Sequence, residues 1–163
     1  MPLDPAFIAD CPYEPAAILI DDIVSRDPAT STIVANLITH DDLPLTAAQR
    51  AHPVRHPRHV AGGLMVPLTG ILGFVHAYHL LALRHADGWI GYGTHIHAGR
   101  FRRMGKIGPP MLLSCQALQV RKIRGVIVAR YKFLFTQEGE SIYEAEHSAI
   151  FTQVLVDDTS THT

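Results

Sequence analysis

Three histidines, His52, His56 and His59, crowd one proline-bearing loop, and His59 stands three residues before the pair Gly62-Gly63. From there to Leu83 the chain runs through about twenty mostly apolar residues at helical spacing. This order puts a helix start, with its bare backbone N–H groups, beside imidazoles that exchange protons near neutral pH. Such an arrangement suits chemistry on a polarised carbonyl, such as a thioester. The amides of Gly62, Gly63 and Leu64 would hold the developing oxyanion, and His59 or His56 would act as the general base. Glycine at the helix start lets a ligand approach the backbone closely. One ingredient is missing, because no Asp or Glu occurs between Asp42 and Asp87. A proton donor or hydrogen-bond donor must therefore come from other side chains, and Thr69 and Tyr78 on the helix are the candidates. His76 and His79, three apart on one side of the same helix, read as core polar groups.

His95-Ile96-His97 falls in a strand-like segment, so both imidazoles face one way. That spacing can hold a metal, but no acidic ligand follows at a suitable distance, and neither a metal nor a cofactor is expected. His97 and Arg100 are expected instead to line a substrate channel beside the helix. Arg100, Arg102, Arg103 and Lys106 form one basic group, and Arg121, Lys122 and Arg124 form another. Such groups suit the phosphates of coenzyme A or an acidic carrier protein.

The remaining composition narrows the function class. A net charge of −1 over 163 residues argues against general nucleic-acid binding. Cys11 and Cys115 are far apart and read as reduced thiols, in keeping with a cytoplasmic protein. The N-terminus has no basic region followed by an apolar run, so no signal peptide is expected. The stretch Val60–Leu83 has the length of a membrane span, but Pro67, Thr69, His76 and His79 interrupt it, and strand-like segments flank it. A buried central helix is the expectation, with no membrane partner.

The elements follow from punctuation and period. Residues 1–16 hold four prolines and read as an irregular arm. Ala17–Ser25 and Thr30–Thr39 read as strands, and Asp41–Arg58 as a polar loop. The helix is expected over Gly63–Arg84, with Pro67 in its first turn. Its small residues Gly70, Gly73 and Ala77 allow close approach. Trp89–Arg103, Met111–Arg121, Val126–Gln137 and Ser141–Val154 read as strands. Ile127, Ala129, Tyr131, Phe133 and Phe135 share one face of the third. Residues 155–163 read as a polar tail. The sum is one α+β domain over 17–154, with an antiparallel sheet wrapped around one long helix.

That order resembles the hotdog fold, a long central helix in a curved antiparallel sheet. Three segments resemble the 3-hydroxyacyl-carrier-protein dehydratases in particular. They are Ala17–Asp27 (AILIDDIVSRD), Arg100–Leu113 (RFRRMGKIGPPMLL) and Ile142–Glu146 (IYEAE). The resemblance covers about residues 17–152. It implies a homodimer, or a multiple of one, that acts on a 3-hydroxyacyl thioester of coenzyme A or an acyl-carrier protein, as in fatty-acid or polyketide metabolism. In that family a loop histidine removes the proton alpha to the thioester, and a Glu or Asp on the helix helps the 3-hydroxyl leave as water. Here His56-Pro57-Arg58-His59-Val60-Ala61-Gly62-Gly63 stands for the loop, and aligning the glycines puts Pro67 at the acid's position. His59-Val60-Ala61-Gly62-Gly63 is also similar to the his-gly-gly of hotdog thioesterases, so thioester hydrolysis is the alternative activity. A non-catalytic protein that binds an acyl chain or a partner is the third reading, motivated by the missing carboxylate.

Overall fold

The structure is a computed structural model that describes residues 1–154, so the expected tail at 155–163 lies outside the described residues. Six strands form one sheet: β1 (Asp22–Asp27), β2 (Thr32–Leu37), β3 (Trp89–Phe101), β4 (Met111–Ile123), β5 (Val126–Gln137) and β6 (Glu140–Gln153). Their spatial order is β1-β2-β4-β5-β6-β3, and all neighbours are antiparallel. The two hairpins β4–β5 and β5–β6 close at Arg124-Gly125 and Glu138-Gly139. At each turn both residues have positive φ, 51° and 85° in the first, 52° and 79° in the second. Such turns match the right-handed twist of the strands they join. β3 pairs on one side with β6. Its other edge has no strand partner among the described residues.

A short helix α1 (Pro5–Asp10) precedes the sheet, and the long helix α2 (Met65–Leu80) crosses it, entered through a 3₁₀ turn at Gly62–Leu64. The alternation read in β5 is the inner face of the sheet: Ala129, Tyr131, Phe133 and Phe135 are all buried. Leu68, Leu72 and Val75 of α2 join them in one core with Ile33, Leu113 and Cys115. The segment Gly62–Leu80 is long and apolar enough to cross a membrane by length and composition, and here most of its apolar residues lie in that core, with Val66 and Pro67 exposed. Pro67 is the third residue of α2, among the first-turn positions whose N–H groups lack helical acceptors, so its ring breaks no bond there.

Strand ends shift by one or two residues from the sequence reading, and three differences are larger. The N-terminal segment is not wholly irregular. Asp4 caps α1 by accepting from Ala6 N at 2.9 Å, Pro5 follows the cap, and Phe7 is 1% exposed, edge-on to Tyr78 at 5.4 Å. An Asp-Pro helix start, masked by the other prolines, accounts for the difference. The first strand begins at Asp22, not Ala17: Pro15–Ala17 coils into a 3₁₀ turn, and residues 18–21 precede the strand without joining it. α2 stops at Leu80, not Arg84. Ala82 takes a left-handed φ of 54°, and the N–H groups of Leu81 and Leu83 both return to Ala77 O, at 3.2 and 3.0 Å. The apolar run continues past that stop, so periodicity alone could not reveal it. Asp10 then ties the arm to this corner by accepting from His85 N and Ala86 N at 2.8 and 2.7 Å.

Candidate functional site

The loop before α2 is held by hydrogen bonds that leave one side of it free. Gln49 clamps His59, with its Nε2 donating to His59 O at 2.9 Å and its Oε1 accepting from His59 N at 3.2 Å. Val60 N donates to Gly105 O at 2.8 Å, and Ala61 N to Thr46 Oγ1 at 3.0 Å. The N–H groups of Gly62 and Gly63 have no acceptor among the described residues. Leu64 differs, since its N–H donates to Ala61 O at 3.0 Å and its side chain is buried; it is not a free amide.

His59 Nδ1 lies 2.8 Å from Pro57 O. A carbonyl oxygen only accepts, so Nδ1 carries the proton and Nε2 presents a lone pair. His59 and Gly62 line the same cavity of about 320 Å³, with Met65, Phe101, Arg102 and Ile142. None of the residues lining it carries a carboxylate. Phe101 closes over Gly62, where a Cβ would sit 3.4 Å from the ring. His56 is exposed, with its ring 5.0 Å from that of His59. His52 Nδ1 accepts from Val54 N and Arg55 N at 3.2 and 3.0 Å and caps the loop's turn.

The other expected residues lie elsewhere. Thr69 is seven residues beyond Gly62 on the same helix face. Its hydroxyl donates to Val66 O at 2.6 Å and faces His147 Nδ1 at 3.2 Å. Tyr78 is at the far end of α2, against Phe7 and beneath the Arg84 guanidinium at 5.1 Å. It lines a separate cavity of about 380 Å³ roofed by Asp10–Tyr13. Sixteen helical residues, about 24 Å, separate it from Gly62, so it does not share a carbonyl with His59. His97 is exposed on β3, 2.6 Å from Ser148 Oγ and stacked on His95 at 5.8 Å. Arg100 is also exposed and makes no ion pair among the described residues, whereas Arg102 pairs with Glu144 at 2.8 Å and Arg103 with Glu140 at 3.0 Å. No group of three His, Cys, Asp or Glu side chains among the described residues could hold a metal.

His147 was not among the expected residues. It stands on β6 directly opposite Tyr131, on the face that looks at α2. Burial, and then the charge of His97, push its pKa below the usual histidine value. The inward face of β5 was legible in the sequence, and pairing Tyr131 with His147 would have found it. That pairing depends on the register of the β5–β6 hairpin, which sequence period alone does not fix.

No protein-family model and no curated protein matches the sequence. Solved structures do match. A thioesterase, PA1618 of Pseudomonas aeruginosa, superposes with a TM-score of 0.60 at 13% identity, over 91% of this chain and 92% of that one. The dehydratase heterocomplex ApeI:P of Xenorhabdus doucetiae gives 0.60 at 12% identity, over 95% and 92%. This chain has the hotdog fold. The Streptococcus mutans protein smu.793, solved bound to acetyl CoA, matches this hotdog chain less fully, with a TM-score of 0.52 at 15% identity over 81% and 88%. At such identities the likeness is one of fold. Both expected activities, thioester hydrolysis and dehydration, occur among the names of the matching structures.

Proposed function

We propose that this hotdog protein acts on acyl thioesters, with His59 as the general base and the Gly62 and Gly63 amides as the carbonyl's hydrogen-bond donors. The observation that carries the reading is the shared cavity in which an oriented imidazole and an unpartnered glycine N–H meet. The thioester oxygen accepts from the amides, which lowers the energy of the enolate formed when Nε2 takes the alpha proton. On a 3-hydroxyacyl thioester the C–O bond at C3 then breaks. The proton now on His59 leaves with the hydroxyl as water, and a double bond remains. This single-histidine route needs no carboxylate, in keeping with a cavity lining that has none. Hydrolysis is the alternative: His59 takes a proton from water, which attacks the carbonyl, the same amides hold the tetrahedral oxyanion, and its collapse breaks the C–S bond as His59 returns the proton to the leaving thiolate.

The thioester's carrier is coenzyme A or a carrier protein, met by Arg100, which is exposed beside the cavity's Phe101 and has no ion pair among the described residues; Arg121, Lys122 and Arg124 stand at the other end of the sheet. A second copy of the chain pairs along the outer edge of β3. That edge is thirteen residues long and shows Tyr92, Ile96 and Phe101 at 54, 57 and 61% exposure. A long edge whose backbone N–H and C=O groups have no strand partner among the described residues is a template for another strand. We place the protein in the cytoplasm, on its two unpaired cysteines.

The test supplies a 3-hydroxyacyl-CoA and the matching saturated acyl-CoA, and measures enoyl product and free thiol. His59→Ala should lower the active reaction by about 10² with unchanged unfolding. Enoyl product selects dehydration and thiol release selects hydrolysis. Failure to bind or turn over either thioester would end the reading.

A further inference from the structure

Between α2 and strands β3 and β6 lie two joined spaces, a vestibule of about 270 Å³ and an inner chamber of about 80 Å³. They share Thr69, Gly70, Gly93, His147 and Ser148. Beyond that neck the chamber is walled by Phe74, Phe133, Phe151 and the ring of Tyr131. Glycines keep it open. A Cβ added at Gly70, Gly73 or Gly93 would meet nothing within 4 Å, and none of the three has a left-handed φ. Glycine inside a helix weakens it relative to alanine, so Gly70 and Gly73 sacrifice helix stability with no packing or turn to require them.

Two polar atoms in these walls, His147 Nε2 and Tyr131 Oη, are buried without a hydrogen-bond partner among the described residues. Their character follows from neighbours. The single proton of Thr69 Oγ1 goes to Val66 O at 2.6 Å, so toward His147 Nδ1 the hydroxyl must accept. Nδ1 therefore carries the ring proton, and Nε2 is an acceptor. Burial keeps the ring neutral and holds the Tyr131 phenol protonated, so Tyr131 is a donor. An acceptor and a donor on directly paired strand positions suit a hydroxyl, which is both.

We propose that this chamber receives the distal part of the acyl chain and recognises a hydroxyl on it, with His147 Nε2 as the acceptor. The inference rests on the thioester being held at Gly62. Thr69 lies seven residues along the same helix face, so the recognised hydroxyl is about 10 Å from the thioester carbonyl. It is thus a second polar group, separate from any hydroxyl at C3. The ligand class is a hydroxyacyl thioester whose hydroxyl lies far down the chain.

The experiment measures calorimetric binding of decanoyl-CoA and ω-hydroxydecanoyl-CoA to the full chain. The hydroxylated thioester should bind about tenfold more tightly, since its analogue leaves Nε2 unpaired. His147→Leu should abolish that preference. Nitrogen-15 NMR of the unaltered protein should find the Nδ1–H tautomer at His147 and an Nε2 shift that moves with the hydroxylated ligand alone, a readout that does not need the variant to fold. Equal affinity for the two ligands, with Nε2 unmoved, would overturn the proposal while leaving the thioester reading intact, and would mean that the chamber holds water. Binding of neither would overturn both.

Discussion

Replacing Gly70 and Gly73 of α2 by alanine should stabilise the protein. Both lie inside a sixteen-residue helix, and the new methyl groups would meet no atom within 4 Å. The gain is then the helix-propensity difference alone, about 1 kcal/mol per site. The two methyl groups would lie on adjacent turns, about 5–6 Å apart, so the double variant should gain about 2 kcal/mol. For a chain of this size that raises Tm by roughly 4–8 °C. Internal controls run the other way. At Gly91 a Cβ would meet Phe151 at 2.8 Å, and at Gly88 it would meet Val154 O at 2.3 Å on a backbone with φ of 83°. Alanine at either site should destabilise. Urea unfolding of the four single variants and of the Gly70/Gly73 double variant at several protein concentrations decides the matter. Neutral or negative changes in the Gly70/Gly73 double variant would refute the reasoning, because they would mean that something occupies that space in the folded protein. The companion variant Gly70→Leu should block the channel and weaken acyl-thioester binding at least tenfold without loss of stability, separating the helix's own preference from what the space is for.

Three further outcomes follow from the geometry. His76, His79 and His147 all have pKa values held below the usual 6.5, chiefly by burial. Below that value the unfolded chain takes up protons that the folded chain resists. Stability is therefore full above about pH 6.5, falls as the pH drops through the histidine range, and levels once the folded rings protonate. Urea midpoints taken from pH 8 downward should trace this, and His76→Gln should flatten the slope. Ile96→Lys on the β3 edge should shift the protein toward monomer in sedimentation velocity and make its unfolding midpoint independent of protein concentration; an unchanged oligomer would exclude pairing along this edge. Pro67→Glu places a carboxylate at an exposed first-turn position, where the helix dipole also favours it. It should raise enoyl formation from 3-hydroxyacyl-CoA, and an unchanged rate would show that Pro67 does not stand in for an acid.

The architecture was legible because its signals are local. The inward stripe on β5, the glycine turns at Gly125 and Gly139 and the apolar run of α2 each state their element without reference to the rest of the chain. That His59 and Gly62 line one cavity was readable for the same reason, since three residues separate them and one loop positions both. What escaped was long-range. His147 meets Thr69 across 78 residues, and only sheet register brings them together. Tyr78 looked like a neighbour of the helix start because it shares the helix, but sixteen residues of rise put it at the opposite end. Leu64 looked like an available amide until the 3₁₀ turn was seen to bind it to Ala61. α1 escaped because prolines at 2, 5, 12 and 15 were read together, although Pro5 after Asp4 begins a helix.

The position of β3 at the sheet's border constrains how the chain comes into being during synthesis. β3 is third in sequence, yet its ladder partner is β6, the last strand among the described residues. While β4 and β5 emerge from the ribosome they can close on β2 and on each other, and α2 can settle over them. β3 has neither edge satisfied until residues 140–153 have left the exit tunnel. Its glycines at 91, 93 and 99 and its polar histidines keep the waiting segment from being a continuous sticky strand. Assembly is therefore gated by the C-terminal strand. A message truncated before Glu140 would yield a chain whose most exposed strand has nothing of its own to bind.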